Sequence, residues 1–276
     1  MNLNYPEARS HTTNKQLTSW KAFQEYVATL EDPARKAWDE VWFRGQSDAE
    51  WPLSTSLERR SKETLAVANY FNLISEIQPA IETFTGGQFS TPDGLEVGGT
   101  CHDSEVLGLE QLLRSHATYL AHLRHGGFPS PLLDWTGSPY VAAYFAFHHA
   151  VEEGDVAIYA YRERTDNFKI TGINEPRIVS FGPLIKTHKR HFRQQSRYTA
   201  CVKFENGRWS FAAHDSVFGQ KNYLKQDLLW KITIPASERL KVLRFCDQVN
   251  LNEFTLFDTE EGLLEMQAMR VFDLRT

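Results

Sequence analysis

Three stretches of the chain carry side chains that could do chemistry. The first is Phe43-Arg44-Gly45-Gln46. A guanidinium offers forked donors to a phosphate or a ribose, and the glycine beside it lets a ligand approach the backbone. The alternative is an arginine paired with a structural carboxylate; an Arg-Gly pair alone does not decide between them. The second is Leu132-Leu133-Asp134-Trp135-Thr136, followed by Tyr140-Val141-Ala142-Ala143-Tyr144-Phe145-Ala146. A polar cluster at a strand end, before a helix of small residues, suits the floor of a cleft. Asp134 would orient Arg44, and Thr136 would hydrogen-bond a ligand. Alternatively, Asp134 and Thr136 only cap the helix, and Trp135 and Tyr144 are core. The third runs from Lys186 to Tyr198 and holds Lys186, Lys189, Arg190, Arg193 and Arg197 without a single acid. Such a stripe could steer a phosphate-rich partner or be a solvated face. His188 and His191 lie three apart within it, but with no third ligand in view a metal site is not expected.

The elements that must position these groups follow from apolar spacing. Trp20, Phe23, Tyr26, Val27 and Leu30 recur with helical period behind a Ser19 cap. Val41–Phe43 reads as a short strand that delivers Arg44 at its end, and Trp51–Leu53 as a second extended piece. Residues 64–84 are expected to form a helix broken near Pro79, residues 86–104 a glycine-rich loop, and residues 105–123 one long helix. Leu132–Thr136 reads as a strand, with Ser138 capping the next helix and Pro139 at its first position. Further strands are expected at 156–161, 178–181, 197–204, 209–212 and 228–234, and helices near 236–247 and 260–271. The sum is an α+β fold with a helical N-terminal half and a strand-rich C-terminal half. A flexible arm is expected over residues 1–16 and a single domain over 17–276.

Composition narrows the function classes. The chain has 276 residues and a formal net charge of −5, which argues against a basic nucleic-acid coat protein but leaves room for a local basic groove. The three cysteines, Cys101, Cys201 and Cys246, form no C-x-x-C pair and suit a reducing cytoplasm. No apolar run is long enough to span a membrane. No phosphate-binding loop, G-x-S-x-G elbow or H-E-x-x-H zinc motif occurs.

Taken together, VWFRGQSDAEWPLSTSLERR, HGGFPSPLLDWTGSPYVAAYFAF, RHFRQQSRYT and TLFDTEEGLLEM resemble, in order, four blocks of the FRG domain family. The chain departs from that pattern at Pro131, where an Arg is usual, at Arg124 and Gly126, which replace Gln and Tyr, and at Ser196, which replaces Gly. The segments are also similar, more distantly, to bacterial toxin ADP-ribosyltransferases with an Arg-Ser-Glu type of site. That resemblance implies an ADP-ribosyltransferase-like fold, NAD as co-substrate without a metal, and release of nicotinamide. It aligns Arg44-Gly45, Trp135-Thr136 with Ala142–Phe145, and Gln194 with the three site positions, Gln194 standing where these transferases generally carry Glu. In this picture Arg44, Gly45 and Gln46 hold the ribose or diphosphate, and Thr136 fixes the loop. Trp135, Tyr140 or Tyr144 lies against the nicotinamide, and Gln194 bonds a ribose hydroxyl or the acceptor. Asp134 supplies the charge that faces the cationic sugar. The stripe would hold RNA or single-stranded DNA as acceptor. A cytoplasmic toxin or phage-defence effector, checked by an antitoxin, is the setting this implies. Two alternatives remain open: a non-catalytic nucleotide- or nucleic-acid-binding module, and a transferase that modifies protein.

Overall fold

The structure is a computed structural model that describes residues 9–10, 12–30, 40–61, 63–151, 153–164, 169, 172, 174–182, 184–218, 221–222 and 226–275. Its strands are β1 (Arg9–Ser10), β2 (Thr12–Gln16), β3 (Val41–Gln46), β4 (Leu132–Thr136), β5 (Asp155–Arg164), β6 (Arg177–Phe181), β7 (Ser196–Glu205), β8 (Arg208–Phe211), β9 (Lys221–Asn222) and β10 (Gln226–Pro235). β1 and β9 form a small antiparallel pair. The others form one sheet in the order β2-β10-β5-β3-β4-β7-β6, with β8 on β7. Only β10 and β2 run parallel. The architecture is therefore mixed helix and sheet, as expected. Among the described residues, no helix is long and apolar enough to cross a membrane.

The helices are α1 (Trp20–Leu30), α2 (Ser56–Arg60), α3 (Val67–Thr85), α4 (Gly94–His102), α5 (Val106–Ser115), α6 (Ala117–His125), α7 (Pro139–His148), α8 (Lys189–Arg193), α9 (Asp215–Phe218), α10 (Arg239–Gln248), α11 (Glu253–Phe257) and α12 (Glu260–Ala268). α1 and α7 begin at the expected caps. Ser19 Oγ accepts from Ala22 N at 3.2 Å, and Ser138 Oγ from Val141 N at 3.3 Å, with Pro139 at the first position. α1, α7, α10 and α11 cover β3, β5 and β10. α3–α6 cover β4, β6, β7 and β8. A third cluster around Trp42, Trp135 and Tyr161 fills the opposite face.

Several expectations need correction. The arm is not free from Thr12 onward, because Thr12–Gln16 pairs with Leu229–Thr233 along the edge of the sheet; residues 1–8 and 11 lie outside the described residues. β3 does not end at Phe43. Gly45 and Gln46 continue the ladder against Ile158 and Ala157, which leaves Arg44 inside the strand. Trp51–Leu53 is not a strand. α3 runs unbroken past Pro79, which lies on the exposed face of the helix. The expected loop at 86–104 contains α4, whose first amides at Leu95 and Glu96 donate to the Asp93 carboxylate at 2.9 and 2.8 Å. Val97 and Cys101 bury one face of that helix. The long helix at 105–123 is two helices that part at His116, where φ is −105° and ψ is 10°. The apolar spacing runs through the junction because both helices pack into the same cluster.

Buried histidines give the fold a pH dependence. His214 is fully buried, with Nε2 2.9 Å from Thr199 Oγ1, and burial pulls it down to about 3. His148, packed against Tyr144, is held at about 4, again chiefly by burial. The folded state favours both rings neutral. Their contribution is complete above the unfolded value near 6.5 and is lost as pH falls toward the folded values. The melting temperature should therefore drop steadily between pH 6.5 and about 4, and less steeply in His214→Gln. A midpoint that stays constant over that range would contradict this.

Candidate functional site

The sheet is nearly divided in two. β3 holds β5 by six consecutive pairs, and β4 holds β7 by five. β3 and β4 meet only at Phe43↔Thr136. Beyond that pair the strands part, and a cleft of about 380 Å³ opens over the gap, within the range of small-molecule sites. β3 contributes Phe43, Arg44 and Gly45, and β4 contributes Asp134, Trp135 and Thr136. Arg124 and His125 come from the last turn of α6, and Ala142 and Phe145 from α7. Arg190, Gln194, Ser196 and Phe257 close the far side.

Arg44 crosses the gap. Its Nη1 donates to the Asp134 carbonyl at 3.0 Å, so a side chain supplies a bond where the backbone ladder has stopped. Burial lowers Arg44 to about 10, partly offset by the Asp134 charge, so it remains a cation at neutral pH. The Asp134 carboxylate does not orient Arg44, contrary to expectation. It is taken by Arg124, whose Nε lies 2.7 Å and Nη2 2.5 Å from Oδ2. Arg190 lies over the Phe257 ring, 4.9 Å from its centroid. Among the described residues, the Nε atoms of Arg44 and Arg190 are both buried without a hydrogen-bond partner. The walls thus hold three guanidiniums against one carboxylate. His125 adds no positive charge, because burial holds it at about 4.

The other expected residues divide. Thr136 lines the same cleft as Arg44, and its Oγ1 accepts from Ser138 N at 3.1 Å, which fixes the turn into α7. Trp135 reaches the wall, but its indole N–H is spent on Thr199 Oγ1 at 2.8 Å and its ring belongs to the core. Gln46 is buried away from the cleft and donates to the Pro52 carbonyl at 3.2 Å. Gly45 lies on the cleft wall, but a Cβ there would sit 2.0 Å from the Ala142 carbonyl oxygen, so its bare Cα serves the close packing of α7. Tyr140 and Tyr144 do not line the cleft. Tyr140 packs against Trp20 and Phe245, and the Tyr144 hydroxyl donates to Glu253 Oε2 at 3.0 Å. The reason is helical phase: α7 turns Ala142 and Phe145, three residues apart, toward the cleft, and so turns Tyr140 and Tyr144 away. Gln194 does line the cleft, with Nε2 3.4 Å from the Leu256 carbonyl.

The basic stripe is not one continuous track. Arg197 is largely buried in a two-pronged pair with Glu40, at 2.9 and 3.2 Å. Arg193 holds Asp258 at 3.0 Å and the Thr255 carbonyl at 3.0 Å, which ties α8 to α11. Lys189 is 79% exposed and 3.7 Å from Asp258. Lys186 is exposed, and Arg190 turns into the cleft. Acids distant in sequence hold Arg193 and Arg197 and lie beside a third cation, Lys189.

Residues 39–155 match the FRG domain. No curated protein and no solved structure matches the chain. The FRG segment runs from β3 to the start of β5, so it contains both sides of the split and α7. Arg190, Gln194, Ser196 and Phe257 are added to the cleft from outside it. Arg124 immediately precedes the family block in which Pro131 stands in place of Arg, and it brings a guanidinium to Asp134. Phe145, Phe257 and His125 also escaped notice as site residues. Each lies within a quoted family block, and only the packing shows which of the block's residues face the gap. Among the described residues, no group of three or more His, Cys, Asp or Glu side chains is placed to hold a metal.

Proposed function

We propose that the cleft between β3 and β4 binds NAD and that the protein is an NAD-dependent ADP-ribosyltransferase. The observation that carries this reading is the pair of buried, unpartnered guanidinium N–H groups, on Arg44 and Arg190, in one cleft. Buried donors without acceptors are rare in native proteins and point to a ligand that supplies them. With Arg124 they suit a diphosphate, whose charge the single carboxylate does not cancel. Phe145 and Phe257, edge to face at 6.1 Å, offer a ring surface to an aromatic base.

Cleavage of the nicotinamide–ribose bond develops positive charge on the sugar. Asp134 is the only carboxylate on the wall, and Arg124 holds it through Oδ2, which leaves Oδ1 for the sugar. Gln194 spends its amide N–H on Leu256, which leaves Oε1 to accept from a ribose hydroxyl. RNA is the proposed acceptor, guided by Lys186 and Lys189 beside Arg190. In a cell such an activity would make the protein a toxin or a phage-defence effector, with an antitoxin to restrain it. A second reading, nucleotide binding without turnover, is favoured by the neutral Gln194 and by the ion pair that occupies Asp134.

NAD labelled in either the nicotinamide or the adenylate half, incubated with the protein and cellular RNA, separates the two. Transfer predicts free nicotinamide and RNA that carries the adenylate label; binding alone predicts neither. Label that resists ribonuclease but disappears with protease would move the acceptor to protein. Binding of RNA should also weaken as salt rises. In Lys186→Ala/Lys189→Ala the log–log salt slope should fall by about 1.4, the release of two counterions at roughly 0.7 each. An unchanged slope would remove these two lysines from the RNA path.

A further inference from the structure

A transfer to an acceptor needs a base, and the groups already described do not provide one. Arg44, Arg124 and Arg190 are cations, and Asp134 is committed to an ion pair. Of the remaining wall residues only His125 carries an imidazole, whose neutral form offers a nitrogen lone pair to a proton. Its Nε2 lies 2.8 Å from the Tyr198 hydroxyl. Tyr198 is completely buried, and on its other side the same hydroxyl lies 3.0 Å from Nδ1 of His191, itself buried and stacked on the tyrosine ring. One buried hydroxyl therefore joins an imidazole on the cleft wall to an imidazole in the interior.

We propose that His125 is the general base of this cleft, and that Tyr198 and His191 behind it carry away the proton it takes. This rests on the transferase reading above. The chain has a consistent direction. His125 Nε2–H donates to Tyr198, and Tyr198 O–H donates to His191 Nδ1. His125 Nδ1, which has no hydrogen-bond partner among the described residues, keeps its lone pair for the cleft. In the reaction the acceptor O–H gives its proton to Nδ1, and the oxygen bonds to C1′ of the NAD ribose. The C1′–N bond breaks, and its electron pair neutralises the nicotinamide ring. Nε2–H then passes to Tyr198 as the tyrosine proton passes to His191, and one proton reaches solvent. Burial keeps His125 neutral, ready to accept. The charged and titratable groups that face it are Asp134, Arg124, His191 and His188.

The test uses the whole chain, NAD, and water as acceptor. In His125→Ala, nicotinamide release should fall about 100-fold or more, the usual share of general-base catalysis. NAD affinity, read by titration calorimetry, should be unchanged, and added imidazole should restore much of the rate. Tyr198→Phe keeps the ring and should slow release without weakening NAD binding. Nitrogen-15 NMR of the unliganded protein should show His125 protonated at Nε2 and bare at Nδ1, a preference lost in Tyr198→Phe. Wild-type rates in His125→Ala, or joint loss of binding and rate without imidazole rescue, would overturn the base. So would a proton found on Nδ1, whatever the activity. If the wild-type protein binds NAD and releases no nicotinamide, the transferase reading itself fails and the base goes with it.

Discussion

Gly45→Ala is expected to detach α7 from β3. A methyl group built at this position would lie 2.0 Å from the Ala142 carbonyl oxygen and 2.6 Å from the Ala146 amide nitrogen. Both are backbone atoms inside a helix and cannot rotate aside. Either the helix lifts or the strand bends, and each breaks the packing of Ala142, Ala143 and Ala146, all fully buried. Overpacking of this kind costs about 3 kcal/mol or more, and no other described glycine meets backbone so closely. Gly98→Ala is the control. Nothing lies within 4 Å of its added carbon, and it sits inside α4, where alanine should be neutral or stabilising by up to about 1 kcal/mol. Urea denaturation of the two variants checks the contrast. If Gly45→Ala unfolds at the wild-type midpoint, the close contact between α7 and β3 is wrong.

Arg44→Gln should produce the largest loss of activity. The change removes the cation, the bond to the Asp134 carbonyl and the buried Nε–H that awaits a ligand. Nicotinamide release should drop by at least about 100-fold, as when a preorganised transition-state donor is lost. Stability should fall by only about 1 kcal/mol, the net worth of one hydrogen bond. A variant that melts as expected but turns NAD over at the wild-type rate would make Arg44 a structural tie across the split sheet and nothing more.

Much of this site was legible in the residues, but as a set of neighbours and not as an arrangement. Arg44, Asp134 and Thr136 were picked out by type and context and Gln194 by the resemblance to the transferases, and the four do share one cleft. What the pattern could not carry was phase and partner. Whether Tyr144 or Phe145 faces the gap depends on how α7 is rotated, and Gly45 sets that by admitting the helix at Ala142 and Ala146. Which stripe cations remain free depends on Glu40 and Asp258, 157 residues before Arg197 and 65 after Arg193 in the chain. The strands read from β-branched and aromatic runs were placed well, because each buries at least one face. The elements missed were those whose local signal was masked. Glycines at 94, 98 and 99 hid α4 until the Asp93 cap and the Val97–Cys101 face are seen together. β2 is polar at every position and is a strand only because β10 offers it an edge. Arg124 looked like a departure from the family pattern. In space it is the partner of the Asp134 carboxylate.

The most direct test of the central claim is a crystal structure of the chain grown with NAD. The account predicts diphosphate oxygens within hydrogen-bond distance of Arg44 and Arg190, over the gap where β3 and β4 part, with one base against Phe145 and Phe257 and the ribose next to the nicotinamide facing Asp134. NAD bound anywhere else, or a cleft that stays closed to it while the guanidinium N–H groups remain unpaired, would contradict it.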